Sequence, residues 1–151
     1  GVEVMITLDG ASRTLSHGDF RLDNICFDDE AQEIILLDWQ TMQTGSCGID
    51  LAYFLSAACP LGTSDETVND HIEHYRQQLR AQNVEISKDR LRWLYELGML
   101  KVLQTVVPLL FQDQIELGSD RGPALMKAWA DKTLERLETV EFETILERQV
   151  D

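Results

Sequence analysis

A chain of 151 residues with 44% hydrophobic content is long enough for one compact domain that buries about 70% of the surface its unfolded form exposes. Its 27 acidic residues against 13 basic ones give a net charge of -14, which disfavours nucleic-acid backbones and anionic lipid and would suit a cationic substrate such as an amino sugar. Cys26, Cys47 and Cys59 are odd in number and lack C-x-x-C spacing, so they indicate neither a disulfide framework nor a thiolate zinc site, and a reducing cytoplasm is the simplest expected home.

In chain order, residues 2–8 alternate like a strand and end at the turn signal Asp9-Gly10. Residues 14–16 read as a short strand leading into a loop at His17. Two apolar runs, 24–27 and 34–37, flank the polar segment 28–32 and predict a short β-hairpin. A turn centred near Ala31 sets Ile25 opposite Leu37 and Phe27 opposite Ile35, and it brings Asn24 opposite Asp38 at the open end. Two hard oxygen-bearing side chains meeting there suit Mg2+ shared with phosphate oxygens. Asp19, in the loop entering the first strand, is placed to accept a proton from a substrate hydroxyl.

Residues 41–49 contain Gly45 and Gly48 and read as a loop beside that metal site. A buried helix over 51–59, with Asp50 at its N-terminal end, stops at Pro60-Leu61-Gly62. The capping-box signature at Thr63-Ser64-Asp65-Glu66 opens a helix to about residue 82, with Val68, Ile72, Tyr75 and Leu79 at helical spacing. His71 and His74 share a face of it, without a third ligand at metal spacing, and read as surface histidines. Ser87 caps a long helix over 88–112 that Pro108 kinks or ends. Residues 118–122 form a loop, and Pro123 suits the first turn of a helix to residue 140 with Leu125, Trp129 and Leu137 inward. A short helix over 142–148 closes the chain. Trp93 and Trp129 fit core packing better than a substrate pocket. The apolar stretch 99–111 is broken by Lys101, Gln104 and Pro108, so no segment is expected to span a membrane.

The order H-G-D-x-x-x-x-N, filled by His17, Gly18, Asp19 and Asn24 and followed by a hydrophobic strand and Asp38, resembles the catalytic signature of the aminoglycoside phosphotransferase-like kinases, which share the protein-kinase-like fold. Leu37-Asp38-Trp39-Gln40 and Asp50-Leu51-Ala52-Tyr53-Phe54-Leu55 look closest to the branch that includes ecdysteroid-kinase-like and related bacterial phosphotransferases. The resemblance covers residues 15–55. It implies Asp19 as the catalytic base, Asn24 and Asp38 as Mg2+ ligands, His17 as a structural brace of the catalytic loop and Asp50 as the aspartate that steadies it. It also implies an α+β, mainly α fold: a protein-kinase-like C-terminal lobe with a short catalytic hairpin packed on a helical subdomain.

Family members carry a nucleotide-binding lobe ahead of this signature. No G-x-G-x-x-G or G-x-x-x-x-G-K-[ST] stretch occurs in the chain, and Lys88, Lys101, Lys127 and Lys132 fall in predicted helices after the motif. Residues 1–151 are therefore expected to form a single C-terminal catalytic lobe, without an identifiable nucleotide-binding residue of its own and a poor enzyme alone. The expected activity is transfer of the γ-phosphate of ATP or GTP to a hydroxyl of a small molecule, with no nucleic-acid or membrane partner. A pseudokinase-like binding module is the alternative. A metal-dependent hydrolase would need more ligands than Asn24 and Asp38 supply.

Overall fold

A computed structural model describes residues 13–110, 121–140 and 145. The predicted strand over 2–8 and most of the predicted helix over 142–148 lie outside the described residues. The described chain is mainly helical, with two separate two-stranded antiparallel sheets.

Strand β1 (Arg13–Ser16) pairs with β4 (Gln43–Ser46), from Arg13 opposite Ser46 to Ser16 opposite Gln43. The expected loop over 41–49 is thus a strand followed directly by a helix. Its polar, glycine-bearing sequence carries no strand periodicity, and the pairing with β1 makes it one. The Ser16 hydroxyl donates to the Ser46 carbonyl at 3.2 Å, which ties the two strands at a buried point.

The hairpin joins β2 (Ile25–Asp28) to β3 (Glu33–Leu36). Its register is one residue away from the expected one: Ile25 faces Leu36, Cys26 faces Ile35, Phe27 faces Ile34 and Asp28 faces Glu33. The cause lies in the turn. Asp28 Oδ1 accepts from the backbone amides of Glu30 (3.0 Å) and Ala31 (2.9 Å), and Gln32 takes a left-handed conformation at φ 55°. Asp28 thereby joins the strand and leaves a four-residue turn, 29–32, where the sequence suggested a five-residue segment. Neither face of the hairpin is well covered, with Phe27 and Ile34 each 65% exposed. The β1–β4 pair makes the main contact with the helices, in place of the hairpin expected to pack there.

Helix α1 (Cys47–Ala58) starts four residues earlier than its apolar run, because Ser46 caps it: the Ser46 hydroxyl accepts from the Gly48 amide at 3.0 Å. Helix α2 (Asp65–Ala81) is capped by Ser64, which accepts from the Thr67 amide at 3.2 Å. Helix α3 (Lys88–Leu110) begins at Ser87, whose hydroxyl accepts from the Arg90 amide, and it continues through Pro108 to Leu110. Helix α4 (Arg121–Leu137) takes in Arg121 and Gly122, part of the expected loop over 118–122.

The core lies where α1, α3 and α4 meet. Leu91, Trp93, Leu94, Met99, Val102 and Val106 of α3 are buried, and Trp93 Nε1 donates to the Ile145 carbonyl at 2.9 Å. Gly48 and Gly98 set the spacing of α1 and α3. A Cβ on Gly48 would collide with the Leu94 carbonyl, and one on Gly98 with the Gly48 carbonyl, so the two backbones touch where no side chain stands between them. Arg92 joins α2 to α3, donating to Glu96 (2.8 Å), Asp65 (3.1 Å) and Asn69 (2.8 Å). Trp129 and Leu137 of α4 face inward as expected, but Leu125 is 47% exposed. The inward stripe of α4 instead runs through the partly buried Met126 and the buried Trp129. Lys132 of α4 donates to the Ala57 carbonyl of α1 at 2.8 Å. No disulfide joins Cys26, Cys47 and Cys59, and no helix among the described residues is long and apolar enough to cross a membrane.

Candidate functional site

Residues 16–24 run from β1 through a tight loop into a 3₁₀ turn at Leu22–Asn24, directly before β2. Gly18 permits the loop's entry. Its φ is +84°, and a Cβ there would strike the Thr41 carbonyl oxygen. Thr41 also donates its hydroxyl to the His17 carbonyl at 2.9 Å, so the loop that starts at His17 and the one that follows Asp38 are held together.

Asp50, in the first turn of α1, reaches back under this loop. Its Oδ2 accepts from the His17 amide at 2.7 Å and its Oδ1 from the Gly18 amide at 2.9 Å. A carboxylate accepting two backbone amides forms charge-assisted bonds, which are stronger than neutral ones. Asp50 is thereby a brace whose oxygens are both engaged.

His17 is 2% exposed and spans the two loops. Nε2 lies 2.8 Å from the Leu37 carbonyl, which can only accept, so Nε2 bears the proton. Nδ1 is then the acceptor facing the Asp19 amide at 3.4 Å. The ring packs against Trp39, 4.8 Å between centroids, and Phe20 at 6.0 Å. Held in this way, it fixes the spacing of the loops.

Asp19 and Asn24 are brought into direct contact. Asn24 Nδ2 donates to the Asp19 carbonyl at 2.8 Å and to Asp19 Oδ2 at 3.0 Å. With the amide nitrogen committed to Asp19, the amide oxygen of Asn24 points the opposite way. Asn24 and Asp38 are not cross-strand partners, which corrects the expected register. The Leu37 amide donates to the Asn24 carbonyl at 2.9 Å, so Leu37 occupies that place and Asp38 lies one residue further on. Asp38 then adopts a left-handed conformation, φ 61° and ψ 57°, at the start of the short turn Trp39–Thr41. A non-glycine residue in that region is uncommon and marks a constrained position. Its exposed carboxylate receives a 3.5 Å contact from Gln40 Nε2.

An amide oxygen and a carboxylate are hard donors that fit Mg2+, which keeps waters and takes phosphate oxygens alongside one or two protein ligands. Among the described residues, no group of three or more His, Cys, Asp or Glu could hold a metal ion. Tyr53, whose hydroxyl lies 2.6 Å from Thr105 Oγ1, has its phenol pushed above the ordinary range: burial outweighs the Thr105 hydrogen bond, and the nearby Asp19 adds to the shift.

Arg21 was missed by sequence reasoning, although it stands two residues after Asp19. Its guanidinium makes two bonds to that carboxylate, Nε to Oδ1 at 2.8 Å and Nη2 to Oδ2 at 3.1 Å, and lies over the Trp129 ring 5.2 Å from its centroid. Behind the loop, a cavity of about 480 Å³ is lined by His17, Trp39, Asp50, Phe54, His74 and Tyr75. The carboxylates of Asp19 and Asp38 do not line it. Burial pushes the Tyr75 phenol up to about 12.

Asp19 gripped by the downstream Asn24, with the half-buried Asp50 under the loop and Asp38 beyond the hairpin, lies in a stretch whose sequence matches a class of protein-kinase-like small-molecule kinases. Within it, the chain belongs to the ecdysteroid kinase-like family, whose sequence profile matches residues 1–87. Acyl-CoA dehydrogenase family member 10 of Mus musculus is 41% identical over 63 residues, covering 36% of this chain. The chain spans only 6% of the length of that relative. No solved structure matches.

Proposed function

We propose that residues 1–151 form the C-terminal catalytic lobe of a phosphotransferase that moves the γ-phosphate of a nucleoside triphosphate, ATP or GTP, to a hydroxyl of a small molecule. The observation that carries this reading is the contact of Asn24 with both the backbone and the carboxylate of Asp19, on a loop whose amides are held by Asp50. Asp19 accepts the acceptor's hydroxyl proton as the new oxygen–phosphorus bond forms and the bond from the γ-phosphorus to its bridging oxygen breaks, releasing the nucleoside diphosphate. Asn24 and Asp38 are the residues that would hold Mg2+. When bound, the metal supplies charge neutralisation at the phosphates.

A nucleotide-binding lobe in the longer protein completes the site. The exposed apolar side chains of the hairpin, Phe27 and Ile34, support that reading, because exposed apolar surface of this kind marks an interaction face. The acidic balance of the chain favours a neutral or cationic acceptor, in a cytoplasmic setting.

The test is an assay of the full-length protein with Mg-ATP and a panel of hydroxylated acceptors. Asp19→Ala is expected to lose about 100- to 10,000-fold in rate, the range for general acid–base groups. Transfer at the parent rate by Asp19→Ala overturns the mechanism. Metal-dependent ATP binding without transfer to any acceptor would favour the pseudokinase-like module instead.

A further inference from the structure

We propose that Arg21 is the positioning residue for Asp19, clamped between that carboxylate and the face of Trp129 so that Asp19 Oδ1 is the oxygen left to meet the acceptor hydroxyl. The inference rests on the phosphotransfer reading and deepens it. A carboxylate offers about four lone-pair sites, two on each oxygen. Asp19 Oδ2 takes two donors, Arg21 Nη2 at 3.1 Å and Asn24 Nδ2 at 3.0 Å. Oδ1 takes one, Arg21 Nε at 2.8 Å. The unsymmetrical count singles out Oδ1 as the proton acceptor.

An ordinary surface ion pair would not carry this argument, because exposed pairs are mobile and contribute little. Arg21 is different on three sides. Its side chain is only 19% exposed, its two bonds to Asp19 have the fork geometry in which a guanidinium fixes orientation, and its central carbon lies over an indole ring. The indole is itself immobilised. Trp129 is 6% exposed, donates through Nε1 to Ser56 Oγ at 3.1 Å, and packs on Tyr53 with centroids 5.7 Å apart. Asp23, 3.7 Å from Nη1, adds a second carboxylate on the solvent side.

A consequence concerns which part of the chain makes the site. Trp129 stands on α4, beyond residue 87 where the family match ends. The orientation of the proton acceptor therefore depends on a helix outside the matched region. Lysine at position 21 would keep the charge but lose both the fork and the stacking surface.

The test uses the full-length protein with Mg-ATP and an accepted hydroxyl substrate. Arg21→Gln is expected to lower kcat by about 10- to 100-fold, the scale of a misplaced catalytic group, with the nucleotide KM changed far less. Arg21→Lys should recover only a small part of the loss. Arg21→Gly should be partly rescued by added ethylguanidinium, whereas Asp19→Ala should not. A readout independent of turnover is the Arg21 Nε–H resonance in the nucleotide-free protein. It should exchange slowly with solvent in the parent and in Trp129→Phe, and rapidly in Asp19→Asn and Trp129→Leu. Parent kcat in Arg21→Gln together with an inactive Asp19→Ala would overturn the role of Arg21 and leave the phosphotransfer reading standing. Parent kcat in Asp19→Ala would overturn the reading itself. A fast-exchanging Arg21 resonance in the parent would overturn the clamp.

Discussion

The hairpin and the α1–α3 pair both carry many apolar side chains and end in opposite states. In the helix pair, Leu91, Leu94 and Met99 are fully buried and the backbones meet at Gly48 and Gly98. In the hairpin, Phe27, Ile34 and Ile35 stand in solvent. The helices hold themselves together; the hairpin is held at its base, through His17, Asn24 and Leu37, and not by its faces. The candidate site residues Asp19 and Asn24 sit at the boundary between the two regimes, held from the helical side through Asp50 and, by way of Arg21, Trp129.

The strongest way to break this contrast is to force the helices apart. Gly48→Ala drives a methyl group into the Leu94 carbonyl, and it is expected to destabilise the chain by about 3 kcal/mol, read as the shift in urea unfolding midpoint. A loss below about 1 kcal/mol would mean that the helices slide apart freely and are not the rigid partner. Next comes the anchor between the regions. Asp50→Ala removes the acceptor of two loop amides and should cost about 2 to 4 kcal/mol, with hydrogen exchange at the His17 and Gly18 amides accelerating well beyond the change at α3.

A third expectation sharpens the helical side through pH. Burial pushes the Tyr95 phenol up to about 12 from an ordinary value of 10.0. The folded state therefore keeps its proton where the unfolded state has lost it, and stability falls as pH rises from 10 toward 12. The loss should be on the order of 2 kcal/mol and should shrink in Tyr95→Phe, measured by thermal unfolding across that range. The smallest effect belongs to the hairpin. Phe27→Ser should change the stability of this chain by less than about 0.5 kcal/mol, because the ring buries little. The same substitution should cost clearly more in the full-length protein if its other lobe covers this face. Equal effects in the two would remove the reason for treating the hairpin as an interaction surface.

Sequence reading reached the helices because their caps are local: Ser64 and Ser87 each satisfy an amide three residues on. It reached the hairpin because two apolar runs flank aspartates. It did not reach the register, since nothing in the spacing tells that Asp28 turns its side chain onto the following amides. Strand β4 escaped for another reason. Gln43, Thr44, Gly45 and Ser46 have no apolar alternation, and only their distant partner β1 makes them a strand. At the site, the motif located Asp19, Asn24 and Asp38, and the structure pairs Asn24 with Asp19 in place of Asp38. Arg21 and Trp129 are more than a hundred residues apart, so their meeting depends on tertiary packing that no local pattern encodes.

Gly48 and Asp50 share the first turn of α1, one pressed on α3 and the other holding the loop that carries Asp19. The turn works as a fixed-length spacer between the frame of the molecule and its chemistry. Wear on either end should register at the other: a variant selected for heat tolerance at the helix contact would be expected to come back with altered turnover, and one selected for turnover at the loop with an altered melting temperature.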